Sequence, residues 1–572
     1  MEDFGDVVLD ADCAATMPDG VVLKADVYRP ARPGRYPVLL QRTPYNKRFA
    51  QTVVYQHPAW YARQGYVVIV QDVRGRYASG GDFNPYRSEA ADGAATIDWA
   101  AGLNGTTGKV GTYGFSYAGI NQLLAAGERP EALACAAAAC AGDDFFAGWT
   151  YRGGALQLAF LLSWTLEALA IPDALRAGDM DLAARRRQAA RNLPSIYATP
   201  LPELLKSGLL PDYFRDWIEH DTRDPYWQSV STAAVYPAID IPVLHVGGWY
   251  DIFLGGTLNN FQALAARHRE QPLHQRLLIG PWQHAPWSRR NGAMDYGPAG
   301  DNRVDLAQLA WFDHWLKGRP LAADTPPVSY FLMSADTWVD GPAWPPAGVE
   351  PRDFFLHSDG RASSLSGSGT LTATSPDSEP PDIFVFDPGN PVPSLGGASC
   401  CQAATAPIGI FDQREVEIRN DVLVYTTAPL AEDVDVDVVG EVEVILFAVT
   451  DAADTDWTAK LVDVEPGGWA SNVCDGIVRA RYAASLESPS LIAPGTITEF
   501  RIALGSTAKR FLKGHSIRLE VSSSSFPTYD INTNTGTRSV EADPWHARLA
   551  TQTIFHDRDR PSCLRLPVKR AT

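Results

Sequence analysis

Short apolar runs separated by amphipathic stretches dominate the first part of the chain. Strand-like runs occur at residues 38–40, 66–70, 110–113 and 134–140, and the stretch 90–101 has the spacing of a helix. Strands that alternate with helices are typical of a mostly parallel sheet that is covered on both faces. The pattern therefore predicts the α/β class for this region.

From residue 143 to about residue 238 the apolar positions follow a helical period. Leucines and aromatic residues between 156 and 169, in particular, fall on overlapping helical faces. Strand-like runs return at 243–246 and 277–279, and residues 306–316 form an amphipathic helical pattern. We therefore expect a helical insertion within the sheet domain.

Beyond residue 320 short β-like runs recur, and helical patterns become rare. Pro and Gly are frequent between these runs, and many short strands joined by turns are typical of a β-sandwich or jelly roll. The sequence thus predicts four segments: the first part of an α/β core at 1–142, a helical cap domain at 143–240, the second part of the core at 241–320, and a jelly-roll β-sandwich at 321–572.

Residues 114–119 carry the strongest chemical signal of the chain. They read G-F-S-Y-A-G and place Ser116 between a predicted buried strand and a predicted apolar helix. A serine in such a turn presents its hydroxyl beside a helix N-terminus, where a nucleophile is accessible. Gly114, Ala118 and Gly119 leave room for the strained backbone. The general pattern G-x-S-x-G is not met, because Ala118 occupies its last position.

A serine nucleophile needs a base, which is itself oriented by a carboxylate. In α/β-hydrolases the acid and then the histidine follow the serine along the chain, each after a strand. Asp251 follows the first of the returning strands, and His284 follows the second. Order and strand context together predict a triad of Ser116, Asp251 and His284. His245 lies inside a strand and is predicted to be an ordinary core histidine.

With these residues in place, the chain resembles the bacterial cocaine esterase family. Residues 114–119 match the family pattern G-x-S-Y-x-G, and residues 248–251 and 280–284 match its acid and base motifs. The family lies within a wider group of serine hydrolases that includes X-Pro dipeptidyl peptidases and α-amino acid ester hydrolases. The resemblance implies an α/β-hydrolase core, an inserted helical cap domain and a C-terminal β jelly roll, with the active site where they meet.

The resemblance also implies further site residues. The oxyanion of the tetrahedral intermediate would be bound by the backbone N–H of Tyr117 and the hydroxyl of Tyr45. Gln56 would lie near the leaving group. Three aromatic side chains would line an acyl pocket: Trp149, Trp164 and Phe253. The implied activity is hydrolysis of a small aromatic or apolar acyl ester, without a metal or an organic cofactor.

One segment departs from the family. Cocaine esterase presents bulky apolar side chains toward the acyl pocket where residues 398–402 of this chain read A-S-C-C-Q. Smaller side chains predict a larger or differently shaped pocket, so we do not expect cocaine to be the natural substrate. At Cys400 and Cys401 we expect two packed thiols, because a disulfide between adjacent cysteines would be strained.

Charge and composition restrict the partners. The net charge of −18 and the pI of about 5.1 disfavour nucleic acids and anionic membranes, and no apolar run of membrane-spanning length stands out. Seven cysteines without a C-x-x-C pair, together with the lack of an apolar leader, indicate a cytoplasmic protein. The expected partner is a small-molecule ester, and similar enzymes suggest a homodimer.

Two other functions stay open. An X-Pro dipeptidyl peptidase or an α-amino acid ester hydrolase would need carboxylates to hold a substrate ammonium group, and Asp143, Asp144 and Glu167 are candidates in or near the cap. A noncatalytic glycan-binding protein is the second alternative, because jelly rolls often bind glycans and 10% of the residues are aromatic.

Overall fold

The structure is a computed structural model that describes residues 4–431 and 433–569. Residues 1–3, which belong to the segment on which the expectation of no apolar leader rests, lie outside the described residues. The first region alternates strands and helices: β1 (Val7–Thr16), β2 (Val22–Pro30), β3 (Tyr36–Thr43), α1 (Pro58–Arg63), β4 (Val67–Asp72), α2 (Glu89–Ala101), β5 (Thr106–Phe115), α3 (Tyr117–Gly127), β6 (Leu133–Ala139), β7 (Tyr151–Arg152) and β8 (Ala155–Leu156).

A run of short helices follows, where the sequence has its helical period. They are α4 (Leu158–Trp164), a π-helical turn (Thr165–Ala170), α5 (Ile171–Arg176), α6 (Met180–Ala190), α7 (Leu193–Tyr197), α8 (Leu201–Lys206), α9 (Asp212–Glu219), α10 (Pro225–Gln228) and a 3₁₀ helix (Thr232–Ala238). The predicted helical character is confirmed, whereas the division into a separate cap domain stays a prediction.

The region after the helices returns to alternating elements. It contains β9 (Val243–Tyr250), α11 (Leu254–Arg267), a 3₁₀ helix (Pro272–His274), β10 (Gln275–Gln283), β11 (Arg290–Asn291), β12 (Met294–Asp295), a 3₁₀ helix (Pro298–Gly300), α12 (Val304–Lys317), β13 (Val328–Leu332) and β14 (Thr337–Gly341). The helix predicted at 306–316 is α12, which ends where Gly318 adopts a left-handed conformation with φ 69°.

Ten strands from these regions form one sheet with the order β1-β2-β4-β3-β5-β6-β9-β10-β13-β14. The neighbours from β4 to β13 pair in parallel, which confirms the predicted α/β class. β13 lies beyond residue 320, where the sequence predicts the β-rich segment, but it pairs with β10 of the first sheet, with Val328 opposite Leu277. The first sheet therefore extends past residue 320.

The rest of the chain is rich in strands, as predicted. It contains β15 (Val349–His357), β16 (Thr370–Thr372), β17 (Asp382–Phe386), α13 (Arg414–Glu417), β18 (Leu423–Thr426), β19 (Val436–Thr450), β20 (Asp456–Val464), β21 (Ala470–Arg479), a 3₁₀ helix (Ala480–Tyr482), β22 (Thr498–Phe511), β23 (Ser516–Ser522), a 3₁₀ helix (Pro544–His546), β24 (Ala550–Asp557), β25 (Arg560–Pro561) and β26 (Cys563–Lys569). These strands form a second sheet. A jelly-roll topology stays a prediction.

His245 is a core residue, as the sequence predicted. It lies in β9, is 1% exposed, and donates from Nε2 to the side-chain oxygen of Gln275 at 2.9 Å. Burial lowers the pKa of His245 to about 4, so the ring is neutral at physiological pH. One satisfied hydrogen bond and a neutral ring explain its position inside the sheet.

One continuous helix, Leu158–Arg176, is long and apolar enough by length and composition to cross a membrane, with a mean hydropathy of 1.5. The expectation that no such run exists was therefore wrong. Its apolar character is accounted for by burial, since 67% of the apolar window is buried inside the protein. By itself, such a helix is weak evidence for a membrane span.

Candidate active site

The backbone at Ser116 adopts a conformation that L-residues rarely take. Ser116 lies between β5 and α3 with φ 61° and ψ −125°. Its N–H donates to the carbonyl oxygen of Ala139 at 2.9 Å, and its carbonyl oxygen accepts from the N–H of Gly119 at 2.8 Å. These two bonds hold the strained turn in place, and the serine side chain stays 7% exposed. This is the strand-to-helix turn that the sequence predicted.

Close approaches require the two glycines around this serine. A Cβ atom on Gly114 would lie 2.6 Å from the Cβ of Ala118, and a Cβ atom on Gly119 would lie 2.4 Å from the carbonyl oxygen of Ala139. The methyl group of Ala118 therefore faces the space that Gly114 leaves empty. This contact explains how the turn forms although Ala118 replaces the last glycine of the general pattern.

Asp251 and His284 form a buried hydrogen-bonded pair at the ends of neighbouring strands. The parallel register places Gln283 of β10 opposite Tyr250 of β9, so the next residue of each strand leaves the sheet at the same edge. Nδ1 of His284 donates to Oδ1 of Asp251 at 2.8 Å. The side chains of His284 and Asp251 are 7% and 0% exposed. This bond fixes the imidazole tautomer and leaves Nε2 free to accept a proton.

The imidazole of His284 lies between two phenylalanine rings. Its ring centre is 5.4 Å from that of Phe115, the residue before Ser116, and 5.3 Å from that of Phe253. Since β5, β6, β9 and β10 are successive neighbours in the sheet, their carboxyl ends lie along one edge. The structure thus brings the three predicted triad residues to the same end of the sheet.

Tyr45 lies beside the serine, as the family resemblance implied. Its hydroxyl oxygen accepts from Nε1 of Trp164 at 2.9 Å, and the phenol interacts with the side chain of Ser116. Burial raises the pKa of Tyr45, so the hydroxyl stays protonated. Because the indole N–H occupies an acceptor position of the oxygen, the phenolic proton remains available to a substrate.

Tyr117 uses its side chain and its backbone in different places. The phenol is buried, donates to Oε1 of Glu89 at 3.0 Å, and stacks on Tyr86 with ring centres 4.1 Å apart. The backbone N–H belongs to the first residue of α3, where no helical partner exists for it. The side chain thus anchors the helix start, and the N–H is free to bind an anion.

The three residues predicted to line an acyl pocket are in mutual contact. Trp149 stacks on Phe253 with ring centres 4.2 Å apart and meets Trp164 edge to face at 5.3 Å. Phe160 completes this group, at 5.5 Å from Phe253 and 5.7 Å from Trp164. We call these four residues the aromatic cluster. Sequence reasoning missed Phe160, although it shares the helical face of Trp164.

Gln56 is exposed, unlike the other predicted site residues. It lies just before α1, and its N–H donates to Oδ1 of Asp305 at 3.0 Å. The buried Gln51 instead reaches the serine turn, because its side-chain amide makes two hydrogen bonds to the backbone of Phe115, at 2.9 and 3.1 Å. No sequence motif marks Gln51, since this contact joins segments that are far apart in the chain.

A loop from the C-terminal region reaches the same site. Gly397 and Gly409 pair through two backbone hydrogen bonds of 2.8 and 2.9 Å, which close the base of this loop, residues 397–409. Within it Ser399 forms a β-bridge with Asp251, and Cys400 belongs to the same buried core as the aromatic cluster. The loop 397–409 therefore contacts the acid and packs into the buried core that contains the predicted acyl pocket.

Cys400 and Cys401 form a disulfide, so the expectation of two packed thiols was wrong. Cys401 adopts φ 83°, and this left-handed conformation turns the chain so that neighbouring side chains meet. Gln402 next to the disulfide donates to Oε2 of Glu167 in the helical region at 2.6 Å. The disulfide thus lies in a segment that is bonded to the rest of the protein on both sides.

A cavity of about 300 Å³ adjoins the site and is lined by Asp143, Asp144, Asp251 and Phe253, among others. Asp144 forms an ion pair with Arg223 at 2.6 Å, and burial raises the pKa of Asp143. Two of the acids predicted for the alternative functions therefore face this cavity.

Comparison with known proteins gives consistent matches along the chain. Residues 19–286 match the X-Pro dipeptidyl-peptidase (S15 family) model, and residues 321–565 match the X-Pro dipeptidyl-peptidase C-terminal non-catalytic domain. Cocaine esterase of Rhodococcus sp. (strain MB1 Bresler) is 37% identical, over 96% of this chain and 97% of its own.

Two solved structures have the same overall fold. An aminopeptidase from the marine sediment archaeon Thaumarchaeota archaeon superposes with a TM-score of 0.81 at 26% identity, over 99% of this chain and 97% of that chain. An α-amino acid ester hydrolase superposes with a TM-score of 0.81 at 24% identity, over the same shares of the two chains. The second likeness concerns the fold alone.

The contact at Gly119 leads to a prediction about stability. In Gly119→Ala the new methyl group would clash with the Ala139 carbonyl oxygen. We therefore expect the free energy of unfolding to fall by about 1–3 kcal/mol and the melting temperature to be lower. The matched control is Gly255→Ala in α11, where an added Cβ meets nothing within 4 Å and helix propensity favours alanine by about 0.5–1 kcal/mol. Equal melting temperatures of the two variants would contradict the prediction.

Proposed function

Because the chain belongs to the cocaine esterase group of the X-Pro dipeptidyl-peptidase (S15) family, we propose that Ser116, His284 and Asp251 are its catalytic triad. The chain is a carboxylic ester hydrolase of the serine type. The observation that carries the assignment is the buried Nδ1–Oδ1 bond of 2.8 Å between His284 and Asp251, at the strand edge where Ser116 occupies its strained turn.

In the first half of the reaction, the Ser116 hydroxyl oxygen attacks the ester carbonyl carbon, and Nε2 of His284 takes the hydroxyl proton. Asp251 holds the imidazole and stabilises the imidazolium that forms. The tetrahedral intermediate then collapses, the bond to the leaving alcohol breaks, and His284 returns the proton to the alcohol oxygen. The product of this half is an acyl-enzyme on Ser116.

In the second half, water replaces the alcohol and hydrolyses the acyl-enzyme by the same proton transfers. The oxyanion of each tetrahedral intermediate is bound by the backbone N–H of Tyr117 and the hydroxyl of Tyr45. Two features support these roles: the helix N-terminus at Tyr117 favours negative charge, and the indole N–H of Trp164 leaves the proton of Tyr45 free to donate.

The substrate is proposed to be an ester with an aromatic or apolar acyl group. The aromatic cluster next to His284 supports an apolar acyl site. The loop 397–409 supports a site that differs from that of cocaine esterase, because its residues near the cluster are small or disulfide-bonded. We therefore propose an acyl group that is broader or differently shaped than benzoyl.

Hydrolysis of amino-acid esters or peptides is the second candidate, and the acid-lined cavity favours it. The aminopeptidase and the α-amino acid ester hydrolase share the fold. However, Asp144 is neutralised by Arg223, and Glu167 accepts a hydrogen bond from Gln402. Because these carboxylates already have partners, ester hydrolysis without an ammonium requirement is the better supported function. Family membership also disfavours a noncatalytic glycan-binding role.

Removing the nucleophile tests the triad. In Ser116→Ala we expect turnover of a p-nitrophenyl ester to fall by at least about 10⁴-fold, since the acyl-enzyme cannot form. Labelling by a fluorophosphonate should disappear in the same variant. The control is Ser488→Ala, at an exposed serine, which should keep both ester hydrolysis and labelling. Ester hydrolysis retained in purified Ser116→Ala would reject Ser116 as the nucleophile.

The role of Tyr45 is tested by removing one oxygen atom. In Tyr45→Phe we expect kcat to fall by about 10²–10³-fold with little change in KM, because an oxyanion donor acts mainly in the transition state. Tyr55→Phe is the matched control, since the buried Tyr55 hydroxyl makes no hydrogen bond with the described residues. A similar kcat for both variants would show that Tyr45 is a packing residue.

Acyl preference is measured with a panel of p-nitrophenyl esters that runs from acetyl to bulky aromatic acyl groups, with X-Pro p-nitroanilides beside it. We expect kcat/KM to rise with apolar acyl size by about 10-fold or more and to stay high beyond benzoyl, because the aromatic cluster binds apolar surface. Preference confined to benzoyl esters would contradict the proposed pocket shape. Faster cleavage of the nitroanilides would favour the peptidase.

A further inference from the structure

Cys140 follows β6 directly and lies at the same sheet edge as the proposed triad. It has φ 47°, its N–H donates to the carbonyl oxygen of Val246 in β9 at 2.7 Å, and its side chain is fully buried. Its Sγ atom, a carboxylate oxygen of Asp251 and a ring nitrogen of His284 lie within 4.8 Å of one another. A thiol therefore adjoins the acid–base pair.

The two carboxylate oxygens of Asp251 have different surroundings. Oδ1 accepts from Nδ1 of His284 at 2.8 Å and from the N–H of Phe253 at 3.1 Å. Oδ2 is buried, and none of the described residues makes a hydrogen bond to it. A buried acceptor left without a donor costs about 1–3 kcal/mol. The Cys140 thiol is placed to supply this donor, because its Sγ atom lies within 4.8 Å of a carboxylate oxygen of Asp251.

The protonation state of Cys140 suits a donor. Burial, and next the negative charge of Asp251, raise the pKa of this thiol well above its ordinary range. A thiol that stays protonated is a poor nucleophile but can donate a weak hydrogen bond. The side chain is therefore placed and protonated to serve Asp251 and not to attack a substrate.

We propose that Cys140 is a positioning residue of the triad, whose S–H donates to Oδ2 of Asp251 and holds the carboxylate toward His284. This inference rests on the proposed function of Asp251 and His284. The thiol acts through the acid and touches no substrate. It extends the chain of hydrogen bonds by one member, from Cys140 through Asp251 to the imidazole.

The other titratable groups near Cys140 and Asp251 are either neutral or the same in every variant of the test. Tyr55 interacts with Cys140, and burial raises the pKa of its phenol well above the ordinary value, so it stays neutral. Five charged side chains line the adjoining cavity together with Asp251: Asp143, Asp144, Arg152, Asp475 and Arg501. All five are unchanged in the variants below, so a difference between these variants is caused by the change at the thiol.

The test compares Cys140→Ala, which removes the donor, with Cys140→Ser, which keeps one. In Cys140→Ala we expect kcat to fall by about 10-fold with KM nearly unchanged, as for the loss of one hydrogen bond. The acidic limb of the kcat/KM profile should move to higher pH, because a carboxylate with one donor fewer holds the imidazolium proton more tightly. In Cys140→Ser we expect kcat and the position of the acidic limb to be close to those of the wild type. Cys135→Ala is the matched control, because Cys135 is a fully buried thiol in β6, the strand that ends just before Cys140.

An infrared measurement distinguishes positioning from packing. The S–H stretching band of Cys140, identified as the band missing in Cys140→Ala, should shift in Asp251→Asn, whereas the band of Cys135 should not. The proposal is wrong if Cys140→Ala is no slower than Cys135→Ala, if Cys140→Ser behaves like Cys140→Ala, or if a chelator abolishes activity and zinc restores it. The last result would make the three groups a metal site.

Failure of this inference and failure of the proposed function give different results. If Asp251→Asn lowers kcat by several orders of magnitude while the Cys140 variants match the control, only the positioning role fails. If Asp251→Asn keeps wild-type activity, the triad assignment itself fails, and Cys140 then has no acid to position.

Discussion

The parallel register of four neighbouring strands is the constraint on which the site depends. β5, β6, β9 and β10 lie side by side, and each delivers one chemical group at its carboxyl end. Because parallel strands end along one edge, residues separated by more than one hundred positions in the chain become neighbours. A shift of one residue in the pairing of β9 with β10 would separate the carboxylate of Asp251 from the imidazole of His284.

Features that depend on local order along the chain were predictable from the sequence. The turn at Ser116, the α/β class and the acid and base after successive strands all follow from residue patterns and chain order. Contacts between distant segments were not predictable. Gln51 and Cys140 carry no motif, and their importance arises only when the strand ends meet. The extension of the first sheet to β13 was not predicted for the same reason, because the sequence of one strand does not show which strands pair with it.

The disulfide and the loop that contains it illustrate a second limit. The sequence showed that residues 398–402 are smaller than expected for the family, but not how the backbone turns there. The positive φ of Cys401 and the bridge between Ser399 and Asp251 are tertiary features. They join the C-terminal region to the acid of the site, so the second sheet contributes to the geometry of the active site although its matched family model is described as non-catalytic.

The loop 397–409 has a consequence for how such enzymes diversify. It is closed at its base by Gly397 and Gly409, and it lies between β17 and β18 of the second sheet, whereas Ser116 follows β5 of the first. Substitutions in this loop can therefore change the core around the aromatic cluster without altering the residues of the strained turn at Ser116. A chain shortened before this loop would keep the aromatic cluster and the residues of the proposed triad, but it would lose the bridge from Ser399 to Asp251.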